Sequence, residues 1–370
     1  MFRTISCPEE ITTDYVAAAL GVPPDALADV DVEPLGTGQI AATVLVHLTW
    51  NQQVAGRPAT VVVKFAGTAD DNRDAERRLA TFHREVGFYC SSGLFTAGST
   101  DALPIPHVFA SAEPGDGSFT IVMETARGSQ GDQLVGCSPR VAGAIVDVAA
   151  RLHSVTWSTE HEFGRHPWVI TGAGKDAEIV RRNARYAALL PGFIDRYRNR
   201  LSDDVLSVAQ SLSGCLEQME KSLRLPVCLC HNDFRLDNMI IDEDSDPVGV
   251  TVVDWQTVGT GSGAVDVSYA LGSGLSRDER RVHEGQLLDR YVEVLRSGGV
   301  VVDRDAVEHD YRVGAASGLV MAVIASQVVR RTERGDEMFA VMAERHGEQM
   351  IDVGTLSAIA ATGDRPTRRR

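Results

Sequence analysis

The first third of the chain contains short apolar runs of the kind that form β-strands. Three runs are rich in β-branched residues and bounded by turn residues, over Val44–Leu48, Val61–Phe65 and Phe119–Met123. Between the last two, apolar residues recur at steps of three and four over Asp74–Cys90, which predicts a helix. Glu85 falls on the apolar face of this helix, where a buried carboxylate needs a partner. The pattern predicts a small sheet with one helix.

The rest of the chain is patterned mostly as helices. Apolar stripes with helical spacing cover Val141–His153, Asp203–Arg224, Asp278–Leu295 and Tyr311–Arg331. The change follows Met123 and leads into a polar, glycine-containing connector. We therefore expect two lobes, residues 1–124 and residues 125–370.

One segment of the helical half, Pro226–Asp254, has strand-like pattern instead. Apolar residues before His231 predict a strand that leads into a turn, and the apolar runs after Asn238 predict a hairpin that ends at Asp254. Asp233 and Asn238 then lie at the two ends of one short loop.

Composition narrows the class of protein. The chain has 370 residues, of which 44% are hydrophobic, so it has enough apolar surface for packed cores. Its 36 basic and 51 acidic residues give a net charge of −15, which argues against general nucleic-acid binding and favours cationic ligands.

The cysteines and the apolar segments bear on the compartment. Six cysteines are scattered along the chain, which is not a disulfide framework, so reduced thiols in a cytoplasmic protein are expected. The start of the chain has no apolar stretch for a signal peptide. The most apolar stretch, Val313–Val329, is shorter than the roughly 20 residues of a spanning helix, so we expect a core helix and no membrane association.

The strand-like segment contains residues suited to phosphoryl transfer from ATP. An aspartate, an asparagine five positions later and an aspartate at the end of the next strand match a kinase catalytic loop and its metal ligand. We assign Asp233 as the base that accepts the proton of the attacking hydroxyl. Asn238 and Asp254 are assigned as the ligands of Mg²⁺, and His231 is expected to brace the loop.

The first lobe offers residues for the nucleotide. Gly36 and Gly38 lie in a turn before a strand and could bring backbone N–H groups to phosphates, although Ala41 replaces the third glycine of G-x-G-x-x-G. Lys64 lies in an apolar strand, like the lysine of V-A-I-K, and Glu85 offers the partner that such a lysine needs.

Two further features define the nucleotide site. Met123 and Glu124 occupy the place of a hinge, where backbone groups would contact adenine. The chain contains no G-x4-G-K-[ST] motif, so a P-loop mechanism is not supported.

These motifs resemble the aminoglycoside phosphotransferase-like superfamily of small-molecule kinases. The similarity is greatest to the ecdysteroid-kinase-like branch and its bacterial relatives. The residues that show it are His231–Asn238, Val253–Gln256, Gly261 and Asp266–Leu271. The resemblance implies an α+β, bilobal protein-kinase-like fold with a small β-rich, nucleotide-binding N-lobe and a larger helical C-lobe.

The same resemblance implies roles for individual residues. ATP and Mg²⁺ are the implied cofactors. The superfamily's catalytic aspartate corresponds to Asp233, and its metal ligands correspond to Asn238 and Asp254. Its ATP-binding lysine corresponds to Lys64, and the paired glutamate to Glu85, with Glu76 as the alternative.

The spacing after Asp254 indicates the kind of acceptor. Only residues 255–265 separate Asp254 from Asp266, and no A-P-E motif follows, so a peptide has little room to dock. We expect an enzyme that phosphorylates a hydroxyl group of a small molecule, with Asp266 bracing the catalytic loop. Two alternatives stay open: a catalytically idle nucleotide-binding scaffold and an aminoglycoside-modifying resistance kinase. Neither the acceptor nor the oligomeric state is predicted.

Overall fold

The structure is a computed structural model of the chain. It describes residues 2–35, 41–52, 54–67, 75–95, 103–159 and 166–361, without the side chains of 75–79, 92–95, 172 and 173. The chain divides into two compact units. The first unit comprises residues 1–127 and 251–258, and the second comprises residues 128–250 and 259–370.

The first unit contains a five-stranded antiparallel sheet in the order β1-β2-β3-β5-β4. Its strands are β1 (Leu27–Pro34), β2 (Ala42–Trp50), β3 (Thr60–Phe65), β4 (Val108–Ala112) and β5 (Thr120–Glu124). Its helices are α1 (Thr13–Leu20) and α2 (Ala75–Phe95), with a 3₁₀ turn at Trp255–Thr257. The three predicted strands and the predicted helix are all present.

Alternating burial in the central strands builds the core of this unit. Val61 and Val63 on β3 are fully buried and pack with Val44, Val46 and residues of α1. β-branched residues suit this pleated surface, which explains why the sequence signal was strong here. Lys64 lies on the same strand, in register with Thr43 on β2 and Ile121 on β5.

The second unit is mostly helical. Its helices are α3 (Pro139–Ser154), α4 (Gly172–Tyr197), α5 (Asp203–Ser211), α6 (Leu216–Ser222), α7 (Gly263–Gly274), α8 (Arg277–Ser297), α9 (Arg304–Gly314), α10 (Ala316–Val328), α11 (Glu333–Val353) and α12 (Thr355–Ala360). Its strands are β6 (Ser129–Gln130), β7 (Cys228–Cys230), β8 (Met239–Asp242), β9 (Gly249–Val252), whose last two residues belong to the first unit, and β10 (Gly259–Gly261). β7 pairs with β10, and β6, β8 and β9 form a second small sheet.

Two predicted helices are each divided in the structure. The helix expected over Asp203–Arg224 is α5 followed by α6, because the chain turns at Gly214, whose φ of +84° is one that glycine adopts without strain. The helix expected over Tyr311–Arg331 begins inside α9, which ends at Gly314. A side chain at Gly314 would meet the backbone of Val265 at 2.9 Å, so close packing of α9 on α7 selects glycine there.

The apolar stretch expected to be a core helix is packed within the second unit. The stretch Arg304–Val328 is long and apolar enough to cross a membrane by length and composition, and 61% of its most apolar window is buried in the structure. α10 packs against α4 and α11, and its residues Leu319, Ala322 and Val323 are fully buried. This agrees with the expected core helix.

Candidate functional site

The first unit holds a buried ion cluster around Lys64. The Lys64 ammonium donates to both oxygens of Glu85, at 2.7 and 2.8 Å, and to Oδ1 of Asp254 at 2.8 Å. The Glu85 side chain is 0% exposed, that of Lys64 11% and that of Asp254 40%. Of the two glutamates considered for Lys64, Glu85 on α2 is the one in contact with it, and the side chain of Glu76 lies outside the described residues.

The cluster pairs one ammonium group with two carboxyl groups. Burial opposes the positive charge of Lys64, but Asp254 and Glu85 outweigh it and raise the pKa of the lysine. Burial raises the pKa of Glu85 to about 7; Lys64 acts against this shift and Asp254 adds to it. A hydrogen bond from Gln256 further favours the charged form of Glu85. Two carboxylates therefore share one ammonium group.

Asp254 is held in position by the residue that follows it. Its backbone is left-handed, with φ of 64°, a conformation that aspartate adopts more readily than most residues. Trp255 stacks on Phe88 of α2 with ring centroids 3.8 Å apart, and its indole N–H donates to the carbonyl of Val252 at 3.2 Å. The stacked indole thus fixes the segment that presents the Asp254 carboxylate, in the position where Phe stands in a D-F-G motif.

The remaining nucleotide-site candidates are distributed along the first unit. Met123 is buried on β5, opposite Val62. Glu124 ends that strand. Its backbone N–H donates to the carbonyl of His107 at 2.8 Å, and its carboxylate accepts from the N–H of His107 at 2.8 Å. Gly36 and Gly38 lie outside the described residues.

In the second unit, three donors converge on the carboxylate of Asp233. The Tyr269 hydroxyl donates to Oδ1 at 2.8 Å. The Asn238 amide donates to Oδ2 at 2.9 Å, and the Arg235 guanidinium donates to the same oxygen at 3.2 Å. Burial, with the nearby Asp233 charge, raises the pKa of Tyr269 well above its ordinary value, so the hydroxyl remains a donor. Asp233 and Asn238 therefore lie together, at the two ends of one loop.

A second carboxylate holds the backbone of this loop. Asp266, near the start of α7, accepts the N–H of His231 at 2.7 Å and the N–H of Asn232 at 2.9 Å. Asn232 has a left-handed backbone with φ of 64°. His153 on α3 lies 3.4 Å from Asp266, and the His231 ring contacts the N–H of Asp233 at 3.3 Å. Asp266 thus binds the backbone of the loop, and the His231 ring contacts it from within.

Two residues of the loop's surroundings were given no role in the sequence analysis. The Arg235 guanidinium donates to the carboxylates of both Asp233 and Asp237, and its distance to Asp237 Oδ2 is 2.7 Å. Tyr269 lies three residues after Asp266 on α7, so both side chains point to the same loop. Helical spacing from Asp266 was the signal that could have found Tyr269, whereas nothing in the spacing marked Arg235 as a partner of Asp233.

Comparisons with known proteins give the family. The sequence profile of the phosphotransferase enzyme family matches residues 31–299, which is more than half of the chain. No curated protein sequence matches the chain.

Solved structures with the same fold are much less similar in sequence. The ethanolamine kinase of Plasmodium vivax is 10% identical with a TM-score of 0.55, over 90% of this chain and 86% of its own. The choline kinase of Cryptosporidium parvum is 11% identical with a TM-score of 0.56, over 88% of this chain and 91% of its own. The GDP complex of aminoglycoside 2′-phosphotransferase-IIIa is 15% identical with a TM-score of 0.50, over 85% of this chain and 92% of its own.

The family match and these folds bear on the predictions from sequence. They confirm the aminoglycoside phosphotransferase-like superfamily, the α+β protein-kinase-like fold class and the class of small-molecule phosphotransferases. The ecdysteroid-kinase-like branch stays a prediction. The chain belongs to the phosphotransferase enzyme family.

Proposed function

We propose that this protein transfers the γ-phosphoryl group of ATP, with Mg²⁺, to a hydroxyl group of a small molecule. The family implies a nucleotide and a divalent cation. The choice of ATP and of magnesium, and the roles of individual residues, are our proposal. A cytoplasmic location, where ATP is available and the six free cysteines stay reduced, belongs to the same proposal.

The observation that best supports this function is the buried lysine shared by two carboxylates. Placing an ammonium group where its side chain is 11% exposed is costly unless it is paired. Phosphoryl transfer gives a reason for this cluster, because the lysine–glutamate pair and the adjacent metal aspartate must be in place together in kinases. We assign Lys64 to the phosphates of ATP and Glu85 to holding Lys64. Met123 and Glu124 are assigned to the adenine side, and Gly36 and Gly38 to the phosphates.

Magnesium fits the donors that the chain offers. Asn238 directs its amide nitrogen at two acceptors of Asp233, the carbonyl oxygen at 2.8 Å and Oδ2 at 2.9 Å, so its amide oxygen is the atom suited to a cation. Asp254 shares the Lys64 ammonium group with Glu85, so a cation would give its carboxylate a further positive partner. When bound, Mg²⁺ would neutralise charge on the phosphates, and Asn238 and Asp254 are its proposed ligands.

Asp233 is proposed to hold the acceptor hydroxyl and take its proton at the carboxylate. Tyr269, Asn238 and Arg235 fix the orientation of this carboxylate before any substrate arrives. This preorganisation reduces the reorientation needed during reaction, which is the main contribution that a protein makes to phosphoryl transfer.

The test is transfer of the γ-phosphate of labelled ATP by the full-length chain in the presence of Mg²⁺. The acceptor panel is ethanolamine, choline, aminoglycosides and an extract of small metabolites. We expect one phosphorylated product that depends on Mg²⁺ and is lost in Asp233→Asn. Asp289→Asn, at an exposed aspartate on α8, is the matched control and should retain activity. Tight ATP binding with no phosphorylated product in the panel or the extract would instead identify an idle nucleotide-binding protein.

A further inference from the structure

Three buried side chains of metal-ligating type lie together beside the start of the catalytic loop. They are His153 on α3 and Cys228 and Cys230 on β7. One ligand atom from each lies within 4.8 Å of the others, and all three residues are at most 1% exposed. The sequence contains no second pair of closely spaced cysteines, but the fold supplies a histidine from 75 residues earlier in the chain.

The spacing of the two sulfur atoms fits a metal ion. Cys228 Sγ and Cys230 Sγ are 3.8 Å apart. Tetrahedral zinc, with Zn–S bonds of about 2.3 Å, places two sulfur ligands about 3.8 Å apart. Alternate residues of a strand point to the same face, so β7 directs both thiols at the histidine without distortion.

We propose that His153, Cys228 and Cys230 form a binding site for one thiophilic divalent cation of the zinc class. Two thiolates and one imidazole are an established zinc ligand set, with the fourth position open to another donor. Soft sulfur ligands disfavour Mg²⁺, so this site is chemically distinct from the magnesium ligands proposed above.

The surroundings of His153 suit a metal ligand. Its Nδ1 lies 2.8 Å from the Tyr291 hydroxyl and its Nε2 lies 3.4 Å from the Asp266 carboxylate. Whichever nitrogen binds the cation, the other keeps a hydrogen-bond partner that fixes the ring, as is usual for metal-bound histidine. Each thiol releases its proton to water as its sulfur–metal bond forms.

A residue that contacts the two cysteines also lines a cavity. Gly261 on β10 lies over the two sulfurs: its carbonyl is 3.7 Å from Cys228 Sγ, and a side chain there would meet Cys230 Sγ at 3.5 Å. Gly261 and Ser262 also line a cavity of about 540 Å³ between α4 and α6.

The test uses the full-length chain, freed of metal by a chelator under reducing conditions and titrated with Co²⁺ and with Zn²⁺. We expect one equivalent of metal per chain, cobalt–thiolate charge-transfer absorption and a metal-dependent rise in melting temperature. The double variant Cys228→Ser/Cys230→Ser should lose all three. The matched control, Cys137→Ser/Cys215→Ser, removes the same number of thiols from the same unit and should keep them.

The wild-type protein provides a second measurement in case the double variant does not fold. X-ray absorption at the zinc edge should show two sulfur ligands and at least one imidazole. Zinc bound by oxygen and nitrogen ligands alone would overturn the proposal. Absence of cobalt–thiolate absorption in the wild type, or its persistence in a folded Cys228→Ser/Cys230→Ser variant, would overturn it as well.

Discussion

The Lys64 cluster of the first unit and the Asp233 loop of the second unit are held in different ways. Lys64, Glu85 and Asp254 come from distant parts of the chain; Lys64 and Asp254 are 190 positions apart. The Asp233 carboxylate is held mostly by near neighbours, Arg235 and Asn238, with Tyr269 as the contribution from α7.

This difference separates two physical tasks. A lysine and a carboxylate that are almost fully buried stabilise the fold only while both partners are present. The Asp233 side chain is 17% exposed, and its carboxylate accepts hydrogen bonds from three donors, which position it for chemistry. We therefore expect changes in the cluster to reduce stability, and changes in the loop to reduce activity.

The largest expected effect comes from Asp233→Asn. Removing the base should lower kcat by about 10²–10⁴-fold, the usual contribution of general base catalysis. The amide oxygen can still accept from Tyr269, but the amide nitrogen then faces the donors of Asn238 and Arg235, so the urea midpoint should fall while the circular dichroism spectrum is retained. Phosphate transfer at the wild-type rate would show that Asp233 is not the base.

The next largest effect is expected for Lys64→Met. It leaves Glu85 buried without its cation, which should lower the free energy of unfolding by about 3–5 kcal/mol, measured by urea denaturation. The double variant Lys64→Met/Glu85→Gln removes the unpaired charge and should recover part of this loss. If Lys64→Met alone were as stable as the wild type, the Lys64 cluster would not differ from the Asp233 loop in its contribution to stability.

The comparison also explains what sequence could predict of the fold. β3 was predictable because it is a run of β-branched residues, of which Val61 and Val63 are fully buried, and β7 because its apolar run leads directly into the loop. The helices α4 and α11 were not predicted. α11 carries glycines at 335 and 347 within a charged pattern, and Gly347 lies where a side chain would meet Val205 on α5 at 2.6 Å. Such packing depends on a neighbour that only the fold supplies.

The candidate site shows the same limit. The spacing of Asp233 and Asn238 was visible in the sequence because one short loop sets it. The choice between Glu85 and Glu76 was left open, because it depends on which turn of α2 faces β3. The third ligand beside Cys228 and Cys230 could not be predicted either, since His153 reaches β7 only through packing of α3.

A smaller effect is expected for Tyr269→Phe, which tests whether the loop is preorganised. Loss of one hydrogen bond to a charged carboxylate is worth about 1.5 kcal/mol, which corresponds to roughly a tenfold fall in kcat with little change in the KM for ATP. Tyr186→Phe is the matched control, because its buried hydroxyl donates to the carbonyl of Ala209 at 2.8 Å, away from Asp233. Equal activity of the two variants would contradict a positioning role for Tyr269.

The smallest effect is expected for Trp255→Phe, which keeps a ring against Phe88 but removes the indole N–H that bonds the carbonyl of Val252. Losing one such bond should cost about 1 kcal/mol of stability. Trp50→Phe loses an equivalent bond to the carbonyl of Pro58, at 2.8 Å, in the same unit. Both variants should therefore show similar shifts in urea midpoint.

Only Trp255→Phe should raise the Mg²⁺ concentration needed for half-maximal activity, because it loosens the segment that presents Asp254. If both variants respond identically to Mg²⁺, the stacked indole serves stability alone, and Asp254 is positioned by its bond to Lys64.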